Sequence, residues 1–345
     1  MARDTAVVRA DPAIPDTVLV APDSFKGTLS AGEVAAAIGA GLRAAGAKTD
    51  LCPVADGGEG TLAVLGEALG AETLTADVHD PLGREIHAVF GLVAGRRARP
   101  SAGVVEVAAA SGLGLVAESE RDPVAASTFG TGELILAARQ AGAEVIYVAA
   151  GGSATSDGGA GAIQAIRQGG GLEGARLVVL CDVRTPFEQA AEVFGPQKGA
   201  DAAAVRTLTR RLAALARRLE RDPRGVPMTG AAGGLSGGLW GAFGAELVPG
   251  ATFVLDSLDF EPRMRAARAV IAGEGRLDSQ SLAGKAVSEV ATRARQAGVP
   301  CYAVAGSSAL DAFGQRILDL EAVLEAGTPR ELEQAGRRLA QLLFT

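Results

Sequence analysis

Five short stretches concentrate the carboxylates, lysines, arginines, hydroxyls and glycines of this sequence, each after a strand-like apolar run. They are APDSFKGT (21–28), VADGGEGT (54–61), AAGGSATSDGGAG (149–161), VLCDVRTPF (179–187) and GEGRLDSQS (273–281). The chain has only two histidines and contains no HExxH motif, no GxSxG motif and no Cys–His pairing, which argues against histidine-dependent hydrolysis. The side chains that remain are those with which enzymes position and neutralise a transferring phosphoryl group.

The first stretch places Asp23, Ser24 and Lys26 directly before a predicted helix. That helix is expected to begin after Ser30, because Ser30 and Glu33 have the Ser-x-x-Glu spacing of a capping box. A polar connection between two core elements and a ligand-binding loop both account for the pattern. Lys26 favours the second interpretation, since a cation placed after a strand of a parallel sheet lies at the edge where ligands bind.

The glycine-rich stretch at 149–161 has the form of an anion-binding loop. In such a loop, successive backbone N–H groups and the N terminus of the following helix surround a phosphate. Asp157 is a candidate ligand for a divalent cation. The alternative is a tight turn in which Ser156 or Asp157 caps the helix. The residues predicted to bind the phosphates of a nucleotide are Gly151, Gly152, Ser153, Thr155, Gly158 and Gly159.

Two further stretches supply carboxylates at strand ends. Asp56 and Glu59 flank two glycines, an arrangement that favours a site for a hard cation or a hydroxyl group. Capping of the next helix by Asp56 is the alternative. Asp182 stands at another strand end, the position of a metal ligand or a general base.

The stretch after residue 273 and the motif FGPQKGA supply the cations. Arg276 stands near Asp278, and Lys285 follows within the next helical turn. Arginine is suited to bidentate recognition of carboxylate or phosphate, although an internal salt bridge between Arg276 and Asp278 is the alternative. Lys198 in FGPQKGA is predicted to be a solvated lysine in a turn.

Strand-like runs alternate with helix-period segments along most of the chain. TVLVAPDSF, for example, precedes a segment that has Val34, Ile38 and Leu42 on one face. This alternation predicts a mainly parallel sheet with helices on its faces, and ligands beyond the carboxyl ends of its strands.

Three stretches break the alternation. Residues 73–93 are interpreted as an antiparallel hairpin, 201–222 as a long amphipathic helix and 229–241 as a glycine-rich segment. We therefore predict a parallel-sheet domain made from both ends of the chain, interrupted by a second, mixed domain, with a cleft between them.

Composition narrows the class of protein. The length of 345 residues favours two domains, and the net charge of −7 offers no electrostatic footprint for nucleic acid. No window approaches the roughly 20 apolar residues that span a bilayer, and no signal peptide is recognisable. Three cysteines without a CxxC motif argue against a disulfide framework and a zinc site. A cytoplasmic protein without nucleic-acid or membrane partners is expected.

Eight motifs, in the same order, resemble the bacterial glycerate kinase family, of the type found in glycerate and glucarate catabolism. They cover nearly the whole chain after residue 17, and together they are far more specific than any one motif. The sequence departs from the family pattern by a short passage before Asp182 and by Thr185 in place of the usual asparagine. The motifs are APDSFKGTLSA (21–31), PVADGGEGT (53–61), VEVAAASGLGLV (105–116), TFGTGELI (128–135), GGSATSDGGAG (151–161), VFGPQKGA (193–200), GAAGGL (230–235) and GEGRLDSQSLAGKAVSEVA (273–291).

The resemblance implies an α/β fold with two domains. A flavodoxin-like parallel-sheet domain is expected at 17–66 and 268–345, with a second mixed α/β domain inserted at 67–267 and a disordered tail at 1–16. The implied activity is phosphoryl transfer from ATP, with Mg²⁺, to (R)-glycerate in the cleft between the domains. The favoured product is 2-phosphoglycerate, and a monomer or homodimer is expected.

The resemblance and the loop chemistry together suggest residue roles. Lys26 and Arg276 are expected to bind the substrate carboxylate or the transferring phosphoryl group, and Asp157 and Asp182 to hold Mg²⁺ or accept the hydroxyl proton. Two other functions stay open, a non-catalytic sugar-acid sensor and a metal-assisted phosphatase or mutase that needs no ATP. The residues expected to contact the substrate are Asp23, Ser24, Asp56, Glu59, Asp278 and Lys285.

Overall fold

The computed structural model describes residues 16–96, 99–279, 281–282 and 285–344. The predicted tail at 1–16 lies outside these residues, except for Asp16. In chain order the strands are β1 (Thr17–Pro22), β2 (Lys48–Leu51), β3 (Glu72–His79), β4 (Glu85–Val93), β5 (Ala102–Glu106), β6 (Val145–Ala149), β7 (Arg176–Leu180), β8 (Glu246–Val248), β9 (Ala269–Leu277), β10 (Cys301–Ser308) and β11 (Leu320–Glu325).

Helices connect and cover these strands. They are α1 (Ala31–Ala44), α2 (Thr61–Leu69), α3 (Val107–Ser111), α4 (Phe129–Gln140), α5 (Ala160–Gln168), α6 (Ala190–Phe194), α7 (Ala202–Ala216), α8 (Leu235–Phe243), α9 (Gly250–Ser257), α10 (Phe260–Arg265), α11 (Ala286–Ala297), α12 (Ala312–Ile317) and α13 (Pro329–Phe344).

The first sheet is parallel throughout and has the order β11-β10-β9-β1-β2. Counted among its own strands, this order is 2-1-3-4-5, the flavodoxin-like order. The prediction of a flavodoxin-like α/β fold is confirmed. Because the connections leave β1 and β9 in opposite directions, the switch point where such sheets bind ligands lies between the carboxyl ends of β1 and β9.

Helices cover both faces of this sheet. On one face, Val34, Ile38 and Leu42 of α1 are fully buried and pack with α13, as their spacing predicted. The predicted capping box is present, since Ser30 Oγ accepts a hydrogen bond from Glu33 N and the Glu33 carboxylate accepts one from Ser30 N. The other face is covered by α10 and α11. The capping box therefore fixes where the loop at Asp23–Lys26 ends.

The second sheet is mixed and has the order β3-β4-β5-β6-β7-β8. Strands β3, β4 and β5 pair antiparallel, whereas β5 to β8 pair in parallel. The predicted hairpin is β3 and β4, and Asp80 Oδ1 closes its turn by accepting hydrogen bonds from Leu82 N and Arg84 N. The mixed α/β character predicted for the insertion is confirmed, while the domain boundaries stay a prediction.

The long helix predicted for 201–222 is wrong in length, because α7 ends at Ala216. The apolar positions that pack, Leu208, Leu212 and Ala216, end there, and the charged residues that follow have no face to bury. The glycine-rich segment is partly helical, since α8 begins at Leu235.

A cluster of buried side chains joins the two sheets, and we call it the bridging cluster. It packs α2 and α9 against the strands β6 and β7. Its members are Ala31, Ala55, Val64, Leu65, Val145, Val178, Leu180 and Val254.

Candidate active site

Loops from the two sheets meet backbone to backbone beside the bridging cluster. A Cβ atom at Gly151, after β6, would lie 2.6 Å from the Cα of Gly58, after β2, which real side chains never tolerate. A Cβ at Gly57 would lie 2.7 Å from the Cα of Gly250. The glycines in these stretches therefore permit a close approach that brings chemistry-bearing residues of both sheets together.

Lys26 and Asp56 form an ion pair on the side of the first sheet. Lys26 Nζ lies 3.3 Å from Asp56 Oδ2, and the lysine side chain is 56% exposed. Asp56 raises the pKa of Lys26, against the opposing effect of burial. Asp56 Oδ1 also accepts a hydrogen bond from Gly58 N at 3.0 Å. Asp56 does not cap α2, whose N-cap is Gly60, so the capping alternative is wrong.

Asp23 is buried behind this pair. Its Oδ1 accepts a hydrogen bond from Ser24 N at 2.6 Å, and its own N–H donates to Gly273 O of β9. Burial, with the negative charge of Asp56 next in size, raises the pKa of Asp23 to about 8. The charge of Asp56 thus disfavours the ionised form of Asp23 at the switch point.

Asp182, which follows β7, adds a carboxylate from the second sheet. Its carboxylate accepts a hydrogen bond from Ala251 N, at the start of α9, with 3.0 Å between Oδ2 and N. Burial raises the pKa of Asp182 to about 7; the Ala251 N–H opposes this, and Asp56 adds to it. Asp56 therefore acts on carboxylates from both sheets.

This concentration of negative charge fits a divalent cation. Among the described residues, no group of three or more His, Cys, Asp or Glu side chains is arranged to hold a metal by itself. Mg²⁺ is usually bound by one or two carboxylates and completed by water and phosphate oxygens. Asp56 and Asp182 supply two carboxylates, and the charge of Asp56 disfavours the ionised form of Asp182, a repulsion that a cation would relieve.

The end of β9 adds a buried carboxylate and two cations. Glu274 accepts a hydrogen bond from Ser281 Oγ, and Lys285 Nζ lies 3.9 Å from Glu274 Oε2. Arg276 is 70% exposed, with its Nε 3.4 Å from Asp278 Oδ2. Burial raises the pKa of Glu274. The Arg276–Asp278 salt bridge offered as the alternative is therefore present, and it leaves most of the guanidinium in solvent.

Asp157 lies in a different environment from Asp182. Its Oδ2 accepts hydrogen bonds from Thr128 N, Thr128 Oγ1 and Gly161 N, and its Oδ1 accepts one from Gly159 N, all within 3.0 Å. These bonds join the N termini of α4 and α5. This is close to the tight-turn alternative, and it leaves the carboxylate poorly placed to bind a metal.

The predicted phosphate-binding residues divide into two groups. Gly158 and Gly159 are buried with positive φ values of 69° and 81°, and Ser153 and Thr155 are also buried. Gly151 and Gly152 are partly or fully exposed and face the loop at 57–59. A Cβ at Gly152 would lie 3.6 Å from Glu59 Oε2. The start of this loop is therefore more accessible to an anion from solvent than its end.

Lys198 is the residue that sequence reasoning misjudged. The prediction of a solvated lysine is wrong, because Lys198 is only 4% exposed. Its Nζ donates hydrogen bonds to Ser153 Oγ at 2.9 Å and to Thr155 O at 2.5 Å. Burial lowers the pKa of Lys198 to about 7, against the opposing charge of Asp157. The only signal in the sequence was its place in the FGPQKGA motif.

Comparison with known proteins identifies relatives along most of the chain. The sequence model described as Glycerate kinase family matches residues 18–171 and 168–344. A glycerate kinase of Halalkalibacterium halodurans is 38% identical over 94% of this chain and 97% of its own length. A glycerate 2-kinase of Escherichia coli K12 is 39% identical over 84% of this chain and 85% of its own length.

A solved structure has the same fold. The protein of Salmonella typhimurium LT2, described as a candidate glycerate kinase 2, superposes with a TM-score of 0.78 at 35% identity, over 95% of this chain and 98% of its own. In the described residues no helix is long and apolar enough to cross a membrane.

Proposed function

The chain belongs to the glycerate kinase family, and we propose on that basis that it transfers the terminal phosphoryl group of ATP to a hydroxyl of (R)-glycerate. The reaction takes place where the loops of the two sheets meet. The observation that carries the proposal is the position of Asp56, which pairs with Lys26 of one loop and acts electrostatically on Asp182 of the other sheet.

Exposed cations at the switch point bind the anionic groups of the reactants. Lys26 lies after β1 and Arg276 lies near the carboxyl end of β9, and these are the two strands on either side of the switch point. The planar guanidinium of Arg276 suits the glycerate carboxylate, and the Lys26 ammonium suits the charge that develops on the transferring phosphoryl group. The backbone N–H groups of Gly151 and Gly152 contribute to phosphate binding.

Asp56 and Asp182 are the residues that would hold Mg²⁺. When bound, Mg²⁺ neutralises negative charge on the phosphate groups of ATP. In its absence Asp182 has a pKa of about 7, so protons compete with the cation below that pH. Asp157 is not included, because its oxygens already accept four hydrogen bonds.

The product is 2-phosphoglycerate. This choice is supported by the name of one relative, the glycerate 2-kinase of Escherichia coli K12. Enolase consumes 2-phosphoglycerate directly, so an enolase-coupled assay gives a signal without a mutase if the choice is correct. A signal that requires added phosphoglycerate mutase would instead indicate the 3-phosphate.

We place the reaction in the cytoplasm. Cys52, Cys181 and Cys301 are buried and free, which is usual in a reducing compartment. A monomer or homodimer remains the expected state, and light scattering of the purified protein would decide between them.

ADP release in the presence of (R)-glycerate tests the activity. ADP should form only when ATP, glycerate and Mg²⁺ are all present, and Asp182→Asn should raise the Mg²⁺ concentration that gives half-maximal rate. Folded protein that releases no ADP contradicts the proposal. Stabilisation by glycerate without turnover would indicate a sensor, and phosphate release from phosphoglycerate without ATP would indicate a phosphatase.

A further inference from the structure

A cavity of about 430 Å³ opens between helix α2 and the strands β3 and β5. Its lining includes none of the residues proposed to bind glycerate or Mg²⁺. Gly60, Leu62, Ala63, Gly66, Ala71 and Glu106 are among its lining residues. Its volume falls in the range of roughly 300–1,000 Å³ that is usual for small-molecule sites.

We propose that this cavity, which we call the α2 cavity, binds the nucleoside part of ATP. The inference rests on the proposed function, since a kinase must bind the base and ribose as well as the phosphates. It adds a location for that part of the nucleotide, at residues that do not include Lys26 or Arg276.

The α2 cavity is continuous with the glycine loops. Gly60 in its wall follows Glu59, whose carboxylate lies beside Gly152. Glu106 is the last residue of β5 and pairs in register with Ala149, two residues before Gly151. The cavity thus begins at the carboxyl edge of the second sheet, where the predicted phosphate-binding residues begin. A nucleotide with its phosphates at Gly151 and Gly152 can extend into it.

The walls suit a flat, partly apolar group. Ala63, Gly66 and Ala71 carry little or no side chain, and Leu62 lies across Gly91, where a Cβ would come within 2.5 Å of its Cδ1. Small-molecule sites are typically apolar surfaces with a few fixed polar groups. The aliphatic surface of Leu62 and the space left by the small residues provide a wall for a base.

The negative charge of the α2 cavity favours a ligand that donates hydrogen bonds and disfavours an anion. Glu67 and Glu106 line it, and Glu106 Oε1 is held in the wall by accepting a hydrogen bond from Leu62 N at 2.7 Å. Ionised carboxylates accept hydrogen bonds and repel phosphate or the glycerate carboxylate. Ribose hydroxyls and exocyclic amines are donors, so a nucleoside complements these walls.

Filling the α2 cavity tests the proposal. Ala63→Trp places a large side chain in the cavity, whereas Ala68→Trp changes an exposed alanine of the same helix that does not line it. We expect Ala63→Trp to raise the KM for ATP at least tenfold, with the KM for glycerate unchanged. ADP should stabilise the wild type and Ala68→Trp against heat, and Ala63→Trp at least tenfold less effectively.

Thr73→Tyr, which fills the α2 cavity from β3, must give the same result and covers the case in which Ala63→Trp does not fold. Unchanged ATP and ADP affinity in a folded filling variant overturns the α2 cavity as the nucleoside site. If the wild type binds ADP through the α2 cavity but forms none from ATP and glycerate, the proposed function fails and the site stands. If turnover is normal in the wild type and in both filling variants, only the site fails.

Discussion

Asp56 connects the charged residues of the site. It pairs with Lys26, and its negative charge is one of the causes that raise the pKa values of Asp23, Asp182 and Glu274. Lys26 is the cation that directly contacts this carboxylate, so the residues of the site form one coupled charge system. A change in any one of them is expected to alter proton and cation binding at the others.

Lys26→Ala should reduce kcat/KM at least about 30-fold, which corresponds to about 2 kcal/mol of transition-state stabilisation. The variant loses the cation proposed to meet the transferring phosphoryl group and leaves Asp56 without its ion pair. Lys48→Ala, which changes a lysine that is 75% exposed, is the matched control and should behave like the wild type. Equal kcat/KM values for the two variants would exclude a role for Lys26 in phosphoryl transfer.

Lys198 should make the protein more stable as the pH rises above 7. Its pKa is about 7 in the folded protein and 10.5 ordinarily, so between these values the unfolded state binds more protons. The Lys198 contribution to the free energy of unfolding then increases with pH, by about 1 kcal/mol per pH unit near pH 8 to 9. Urea unfolding of wild type and Lys198→Met at pH 7.5 and 9 measures this contribution as the difference between their pH dependences.

The slope of the free energy of unfolding against pH should be smaller by that amount in Lys198→Met and unchanged in Lys48→Met, because Asp23, with its pKa raised to about 8, opposes the rise equally in all three proteins. An equal rise in wild type and Lys198→Met would mean that Lys198 keeps its proton in the folded protein. The methionine side chain has nearly the same length, so lost packing contributes little to the difference.

At the scale of elements, Asp157 acts as a brace between two helices. Asp157→Ala leaves Gly159 N, Gly161 N and Thr128 without their acceptor, and an unsatisfied buried donor costs about 1–3 kcal/mol. We expect a loss of about 3 kcal/mol in the free energy of unfolding, with the Mg²⁺ requirement unchanged. If Asp157→Ala kept wild-type stability but required more Mg²⁺, Asp157 would instead be a metal ligand.

The contact between the glycine loops tolerates no side chain. Gly151→Ala would place a Cβ 2.6 Å from the Cα of Gly58, and overpacking of this kind costs about 1–3 kcal/mol. Gly32→Ala, in α1, meets nothing within 4 Å and should stabilise the protein by up to about 1 kcal/mol through helix propensity. The midpoint of thermal unfolding should therefore fall in Gly151→Ala and rise in Gly32→Ala. A shift of the same sign in both variants would contradict the close contact.

Elements set by local sequence could be predicted, whereas side-chain environments could not. The start of α1 depends on Ser30 and Glu33, three residues apart, and the hairpin depends on a short turn closed by Asp80. Lys198 is buried by contacts with Ser153 and Thr155, more than 40 residues away. No local pattern encodes such a contact, which is why Lys198 was expected in solvent.

At the scale of the molecule, the bridging cluster couples the two sheets. Leu65 of α2 is fully buried in it, beside residues of β6, β7 and α9. Leu65→Ala should lower the free energy of unfolding by about 2–5 kcal/mol, and Leu342→Ala, at a side chain that is 51% exposed, by less than about 0.5 kcal/mol. Chemical denaturation of both variants measures the difference. Equal losses would contradict the role of the bridging cluster.

The order of synthesis follows from the position of β1 between β2 and β9. The ribosome makes β1 first, but β9 begins only at Ala269, and at roughly 5–20 residues per second this delay is tens of seconds. All six strands of the second sheet emerge during that interval. The apolar strand β1 therefore waits on the nascent chain with one edge unpaired. A premature stop before Ala269 would release a protein whose second sheet has all its strands and whose first sheet has two.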